Sequence, residues 1–178
     1  IEGSEIKEIY SKGSMGNLFY YEDELHAVGM RKRFDWPTNT TFLKISNTGN
    51  VTYKYRSFDR NIVKAEVNEA ILYFLYEDSG KTLLRDGTNN VDLINSDVTI
   101  KDFAFNNEQT FVIANSFSNP DEIYELNNGQ LTKISKANEF FTKKVKTWDC
   151  QYQRIDTGKS EIDTCLLYTS DAADDCWS

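Results

Sequence analysis

The chain is poor in several of the residues on which chemistry and processing usually depend. Its 178 residues include one histidine, His26, which excludes any histidine-rich metal site and leaves little material for a general base of the usual kind. Bases are outnumbered, 20 against 28 acids, for a formal charge of −8. A nucleic-acid binder normally shows a net basic face, so no nucleic-acid partner is expected. No apolar run approaches the roughly 20 residues that cross a bilayer, so no membrane partner is expected either. The first ten residues, IEGSEIKEIY, have neither the basic nor the apolar region of a signal peptide. With only two prolines and 39% hydrophobic residues, the composition suits one globular domain or part of a larger one.

Cysteine is scarce as well, and two of the three cysteines fall in an anomalous tail. Residues 165–178 show no strand alternation, no helical stripe and no cap. Within them, CLLYTSDAADD resembles the in-frame translation of a transposon adapter used to prepare sequencing libraries. On that reading 165–178 are non-native, and the natural sequence continues differently past Thr164. Three of the 28 acids and none of the 20 bases lie in the tail, which leaves a net −5 for the body. Cys150 then stands alone, so no internal disulfide is expected, and a cytoplasmic setting follows from that lone thiol.

The body is rich in aromatic and β-branched residues, in short runs broken by polar clusters. Strands are predicted over 6–10, 18–21, 25–30, 41–45, 51–55, 62–67, 71–76, 91–94, 100–105, 110–114, 122–126 and 131–134. The breaks carry turn chemistry, as in Asp78-Ser79-Gly80, Ser118-Asn119-Pro120-Asp121 and Asn127-Asn128-Gly129. Only 136–144 can form a helical turn, and Asn138 in its middle disfavours it. The chain is therefore predicted to be all-β.

The strands also repeat. IVKAEVN at 62–68 aligns with IKDFAFN at 100–106, and LYFL at 72–75 with TFVI at 110–113. LLR at 83–85 then meets IYE at 123–125, and VDLI at 91–94 meets LTKI at 131–134. A longer first copy contains 25–28, 42–45 and 51–55, with 31–37 inserted. Four strands at a spacing of roughly 40 residues mark the blade of a β-propeller, whose sheets bury their faces by stacking. About three to four blades are expected, a partial ring; a β-sandwich with chance periodicity is the alternative.

Residues 98–134 carry a more specific pattern: Ser116-Phe-Ser-Asn-Pro120-Asp-Glu122-Ile-Tyr124, then Leu131-Thr132 and Asn138. It resembles a propeller blade of the prolyl-oligopeptidase family of serine peptidases, in its acylaminoacyl-peptidase and dipeptidyl-peptidase branches. Farther on, Tyr152-Gln-Arg154-Ile-Asp156-Thr-Gly158 resembles the family's linker strand toward its α/β-hydrolase domain, with Thr157 inserted. The resemblance implies blades over 1–147, a linker strand over 148–164, and a catalytic Ser-His-Asp site in a downstream domain. It further implies a propeller that gates peptide substrates, without a cofactor. A non-enzymatic propeller scaffold for protein or ligand binding is the competing expectation.

Local motifs inside the chain do not amount to catalysis. Lys12-Gly13-Ser14-Met15-Gly16 has Lys where a nucleophile elbow needs Gly, and reads as a loop before the strand at 18–21. Gly80-Lys81-Thr82 lacks the upstream glycine of a phosphate loop and reads as a hairpin. Asp86, Asn90 and Asp92 match no calcium loop. Glu22-Asp23-Glu24 reads as a solvated turn, and His26 as a structural strand residue. Lys143, Lys144 and Lys146 are too few for a nucleic-acid patch, and Asn39 and Asn50 head acceptor sequons only in a secreted protein. No catalytic, cofactor-binding or metal-binding residue is assigned.

Overall fold

The computed structural model describes residues 8, 10–31, 39–54, 58–106, 109–147 and 150–167. Among these residues three four-stranded sheets follow one another, each with its strands in chain order, and a two-stranded sheet follows them. The chain divides into two compact units, Ile1–Asp78 with Leu83–Leu93, and Ser79–Thr82 with Ile94–Ser178. Among the described residues no helix is long and apolar enough to cross a membrane.

The first unit holds two of the sheets. One contains β1 (Ser14–Tyr21), β2 (Glu24–Met30), β3 (Thr41–Ile45) and β4 (Val51–Tyr53). The other contains β5 (Ile62–Asn68), β6 (Ile71–Asp78), β7 (Lys81–Asp86, whose first two residues belong to the second unit) and β8 (Val91–Asp92). Strand alternation sends Phe19, Tyr21, Val28 and Phe42 to one face of the first sheet, where they pack on Ile62, Ala65, Leu72, Phe74 and Tyr76 of the second. The opposite face of the first sheet buries Ala27, Leu43, Ile45 and Val51 beneath Tyr10, Met15 and Tyr53. Gly29 is required where β1 crosses β2, because a Cβ there would lie 2.2 Å from the Ser14 carbonyl oxygen.

The second unit holds β9 (Thr99–Asn106), β10 (Gln109–Ser116), β11 (Asn119–Asn127) and β12 (Gln130–Lys133). A short helix, α1 (Glu139–Lys144), and the hairpin of β13 (Cys150–Asp156) and β14 (Glu161–Leu167) complete it. Ile100, Phe103, Val112 and Ala114 are its buried apolar residues within the sheet.

Turn chemistry fixes the strand registers. Four hairpins close through two residues that both have positive φ: Glu22-Asp23, Glu69-Ala70, Ser79-Gly80 and Asn128-Gly129. Such turns carry the twist that matches right-handed strands, and Asn-Gly is their preferred filling. Ala70, at φ 63, occupies the left-handed region without the side-chain amide or the missing Cβ that makes it tolerable.

Several expectations change in detail. The first strand of the first sheet begins at Ser14 rather than at Leu18, because Ser14, Met15 and Gly16 pair with Met30, Gly29 and Val28 before a bulge at Asn17. Asn17 then uses its Oδ1 to accept the Ala65 N–H of β5. The turn expected at 118–121 is tighter, with Phe117 and Ser118 alone outside the strands. Between the pairs Ser116↔Asn119 and Ala114↔Glu122, Pro120 and Asp121 oppose the single residue Asn115. A bulge is where a residue without an N–H is tolerated inside a strand. Asn138 lies at the N-cap of α1 rather than in its middle, which removes the objection to that helix.

Cys150 is bonded to Cys165, which corrects the expectation of no disulfide. The hairpin register pairs Cys150 with Leu167 and Tyr152 with Cys165, and this diagonal offset brings the two Cα atoms to 6.1 Å, within bridging range. The segment expected as one linker strand is thus a hairpin, and its second strand runs on to Leu167. Of the strand expected at 6–10, positions 6, 7 and 9 lie outside the described residues, as does the insertion at 32–37.

Two substitutions test this account of turn and core. Ala70→Gly should raise stability by about 1 kcal/mol by relieving the left-handed residue. Leu72→Ala should cost about 2–5 kcal/mol, whereas Val63→Ala on the exposed face of β5 should stay within about 0.5. Urea unfolding midpoints read all three.

Candidate functional site

The residues that sequence reasoning set aside are spread over separate turns, each with its own partners. Ser14 lies in a regular strand opposite Met30, not on a strand-to-helix turn. Ser79-Gly80 closes the β6–β7 hairpin ahead of Lys81. Asp86 binds its own turn: Oδ1 accepts the Thr88 and Asn89 N–H groups, and Oδ2 accepts Asn89 Nδ2. Glu22 receives Lys54 at 2.8 Å, and this hydrogen bond holds its carboxyl below the ordinary value. Glu24 pairs with Lys44. Lys143 answers Glu139 one helical turn earlier, and Lys144 lies over the Phe140 ring. Asn39 donates to Asp59, and Asn50 donates its N–H to Ser46 Oγ while its carbonyl accepts the Ser46 N–H. Among the described residues no cluster of His, Cys, Asp or Glu could hold a metal ion.

The structure assembles two polar clusters that sequence reasoning missed. In the first unit Arg85 grips Asp92 with two nitrogens, Nε at 2.7 Å and Nη2 at 3.0 Å. Tyr76 donates its hydroxyl to the same carboxylate, and the guanidinium lies over the Tyr76 ring. Burial and then the bond to Asp92 push the Tyr76 hydroxyl up to about 12. Burial alone would raise Asp92, but the hydrogen bonds from Arg85 and Tyr76 outweigh it and hold the carboxyl low. The signal was available: Arg85 and Asp92 are opposite charges at directly paired positions of β7 and β8.

In the second unit, Glu122 of the Pro-Asp-Glu-Ile-Tyr segment is buried and ties β11 to the chain that follows β12. Ser135 Oγ donates to its carboxylate, as do the backbone N–H groups of Ala137 at 3.0 Å and Asn138 at 2.8 Å, with Lys133 Nζ 3.3 Å away. Led by the Ser135 bond, these donors carry the carboxyl from 4.5 down to about 2 against the opposing effect of burial. Glu122 therefore anchors, from another strand, the two residues that lead into α1.

A groove of the second unit runs beside the β10–β11 hairpin. Two adjoining cavities, of about 340 and 500 Å3, share Thr99, Ser116, Phe117, Ser118, Asn119 and Tyr152. Lys81 and Asp97 pair at one end, and Lys81 Nζ lies 4.6 Å from the Tyr152 ring centre. Arg154 reaches Ser79 Oγ at 2.9 Å within the second unit. Phe117 and Tyr152 are half-exposed, so the groove offers aromatic faces beside amides and hydroxyls.

Lowering the pH tests the Glu122 cluster. A carboxyl whose value is depressed on folding stabilises fully above about pH 4.5, and the contribution fades as pH falls toward 2. Glu122→Gln should lower the urea midpoint at pH 7 and flatten its decline between pH 4.5 and 3; an unchanged decline would remove Glu122 as its source.

The sequence matches no family model and no curated protein. Among solved structures, uncomplexed Pyrococcus horikoshii acylaminoacyl peptidase superposes with a TM-score of 0.67 at 18% identity, over 83% of this chain and 24% of that one. Its orthorhombic crystal form gives 0.65, also at 18%, over 81% and 23%. The β-propeller domain of the trilobed protease from Pyrococcus furiosus, described as having an open velcro topology, gives 0.52 at 14%, over 65% and 37%. The chain thus spans about a quarter of the length of the acylaminoacyl peptidases it resembles, and its successive four-stranded sheets are part of a β-propeller fold of the kind seen in these peptidases.

Proposed function

We propose that the chain is a non-catalytic propeller portion of a serine peptidase of the prolyl-oligopeptidase type, one that controls which peptides reach a Ser-His-Asp site in a downstream α/β-hydrolase domain. The observation that carries this reading is the fold likeness to acylaminoacyl peptidase over four-fifths of the chain. Three features support it. The Pro-Asp-Glu-Ile-Tyr pattern has a physical role in the second unit, through Glu122. The sheet β9–β12 leaves Ile113 and Ile123 exposed, with Ile134 exposed just after β12, as a blade meeting a further sheet would. The groove beside the β10–β11 hairpin is a binding surface rather than a reaction centre.

On this reading the chemistry is acyl transfer. A serine activated by histidine attacks the peptide carbonyl, and the propeller contributes selection by excluding folded chains. On this reading residues 165–178, Cys165 included, are adapter-derived, so the Cys150–Cys165 bond is not native, and the proposed setting is cytoplasmic. Peptides are the partners, met through the catalytic domain, and no cofactor is required.

Reading the gene past Thr164 tests the proposal. A Gly-x-Ser-x-Gly motif within about 150 residues is expected, followed by Asp and then His. The corresponding full-length protein should release an acyl-aminoacyl reporter, while the 178-residue chain should not. A stop codon, or another four-strand copy with no such motif after it, would favour a propeller scaffold instead.

A further inference from the structure

His26 is the chain's only histidine, and none of its surface reaches solvent. Alternation along β2 places it on the face that packs against β5–β8, two residues from Val28. Its ring stacks on Phe19 of β1 at 5.7 Å and 20°, and meets Tyr21 edge-on at 6.1 Å. Nδ1 lies 3.0 Å from the Glu24 carbonyl oxygen. A carbonyl only accepts, so the neutral ring carries its proton on Nδ1 and presents a bare Nε2. That Nε2 is buried and has no hydrogen-bond partner.

The charged groups around the ring are committed elsewhere. On its own sheet, Glu24 of β2 pairs with Lys44, the β3 residue directly across from His26. Glu22, in the turn after β1, pairs with Lys54 beyond β4, and Lys54 also lies over the Tyr21 ring. From the facing sheet, Tyr76 donates to Asp92, and Asp86 is occupied by Thr88 and Asn89. Thr88 in turn approaches the Tyr21 hydroxyl at 3.4 Å. Among the described residues no group accepts or donates a hydrogen bond at Nε2.

We propose that His26 is an acid-sensitive joint of the first unit: a proton taken up at Nε2 loosens the β1–β4 sheet from the β5–β8 sheet. Protonation would create a donor without an acceptor and a charge inside an aromatic contact, both costly in an apolar interface. Burial drives the same way, holding the imidazole below its ordinary value of 6.5; the Glu24 carbonyl opposes this in part. For a histidine depressed on folding, the unfolded chain binds the proton more readily. Stability is then complete above about pH 6.5 and declines as pH falls below it.

The full chain supplies the test. Between pH 8 and pH 5.5 its unfolding constant should rise by about tenfold, the factor set by an unfolded imidazole near 6.5 that stays neutral when folded. His26→Phe, which keeps an aromatic ring but cannot titrate, should show no such rise. The single imidazole resonance of the wild-type chain gives an independent reading, even if the variant does not fold. It should keep its neutral position down to pH 5.5 while the protein stays folded. Titration of that resonance at or above 6.5, or an equal pH dependence in His26→Phe, would overturn the proposal.

Discussion

The first unit depends on one contact, the edge-to-face packing of aromatic rings between two sheets. Phe42 of β3 meets Phe74 of β6 with ring centres 5.1 Å apart and planes at 83°. Phe58 meets Phe74 at 5.5 Å and Tyr76 at 5.2 Å, again nearly perpendicular. A four-stranded sheet with apolar residues on both faces cannot shield either face alone, so it folds by acquiring a neighbour. The polar features of the unit are arranged around this contact. Tyr76 extends from it to Asp92, and Arg85 lies over both Tyr76 and Phe58. His26 occupies the same face, so the interface that holds the sheets together also contains the unit's one proton-sensitive ring.

Much of the fold was legible in the sequence because two local rules, alternation and turn chemistry, act within a few residues. LYFL and TFVI both fall in second strands, of the β5–β8 and β9–β12 sheets, and Asn128-Gly129 closes the hairpin its composition suggests. What could not be read depends on contacts between residues far apart in the chain. Pro120 looked like a loop residue because its tolerance comes from the bulge opposite Asn115. Asn138 looked like a helix breaker because its N–H is held by Glu122, sixteen residues earlier. The Glu69-Ala70 turn has none of the usual turn residues; its register is imposed by the pairing of Val67 with Leu72 and Asn68 with Ile71 on either side. The Cys150–Cys165 bond depended on a hairpin where a single linker strand was expected.

The candidate site was less legible than the fold, and for a related reason. A groove lined by Phe117, Asn119 and Tyr152 has no spacing rule, unlike a metal or nucleophile motif. The acidic and basic clusters that did attract notice all serve local structure: Asp86 its turn, Glu22 and Glu24 their lysines. Fold likeness at 18% identity specifies architecture, while chemistry must be argued from sites. In this chain the polar clusters brace local structure, Arg85 with Asp92 and Tyr76 in the first unit and Glu122 with Ser135 and Lys133 in the second.

A double-mutant cycle on Phe42 and Phe74 tests the central claim most directly. If the two sheets are held by this aromatic contact, Phe42→Ala and Phe74→Ala will be strongly non-additive in urea unfolding, with a coupling of about 1 kcal/mol. Strict additivity would mean that each ring stabilises only its own sheet, and the stacked-sheet account of the first unit would fail.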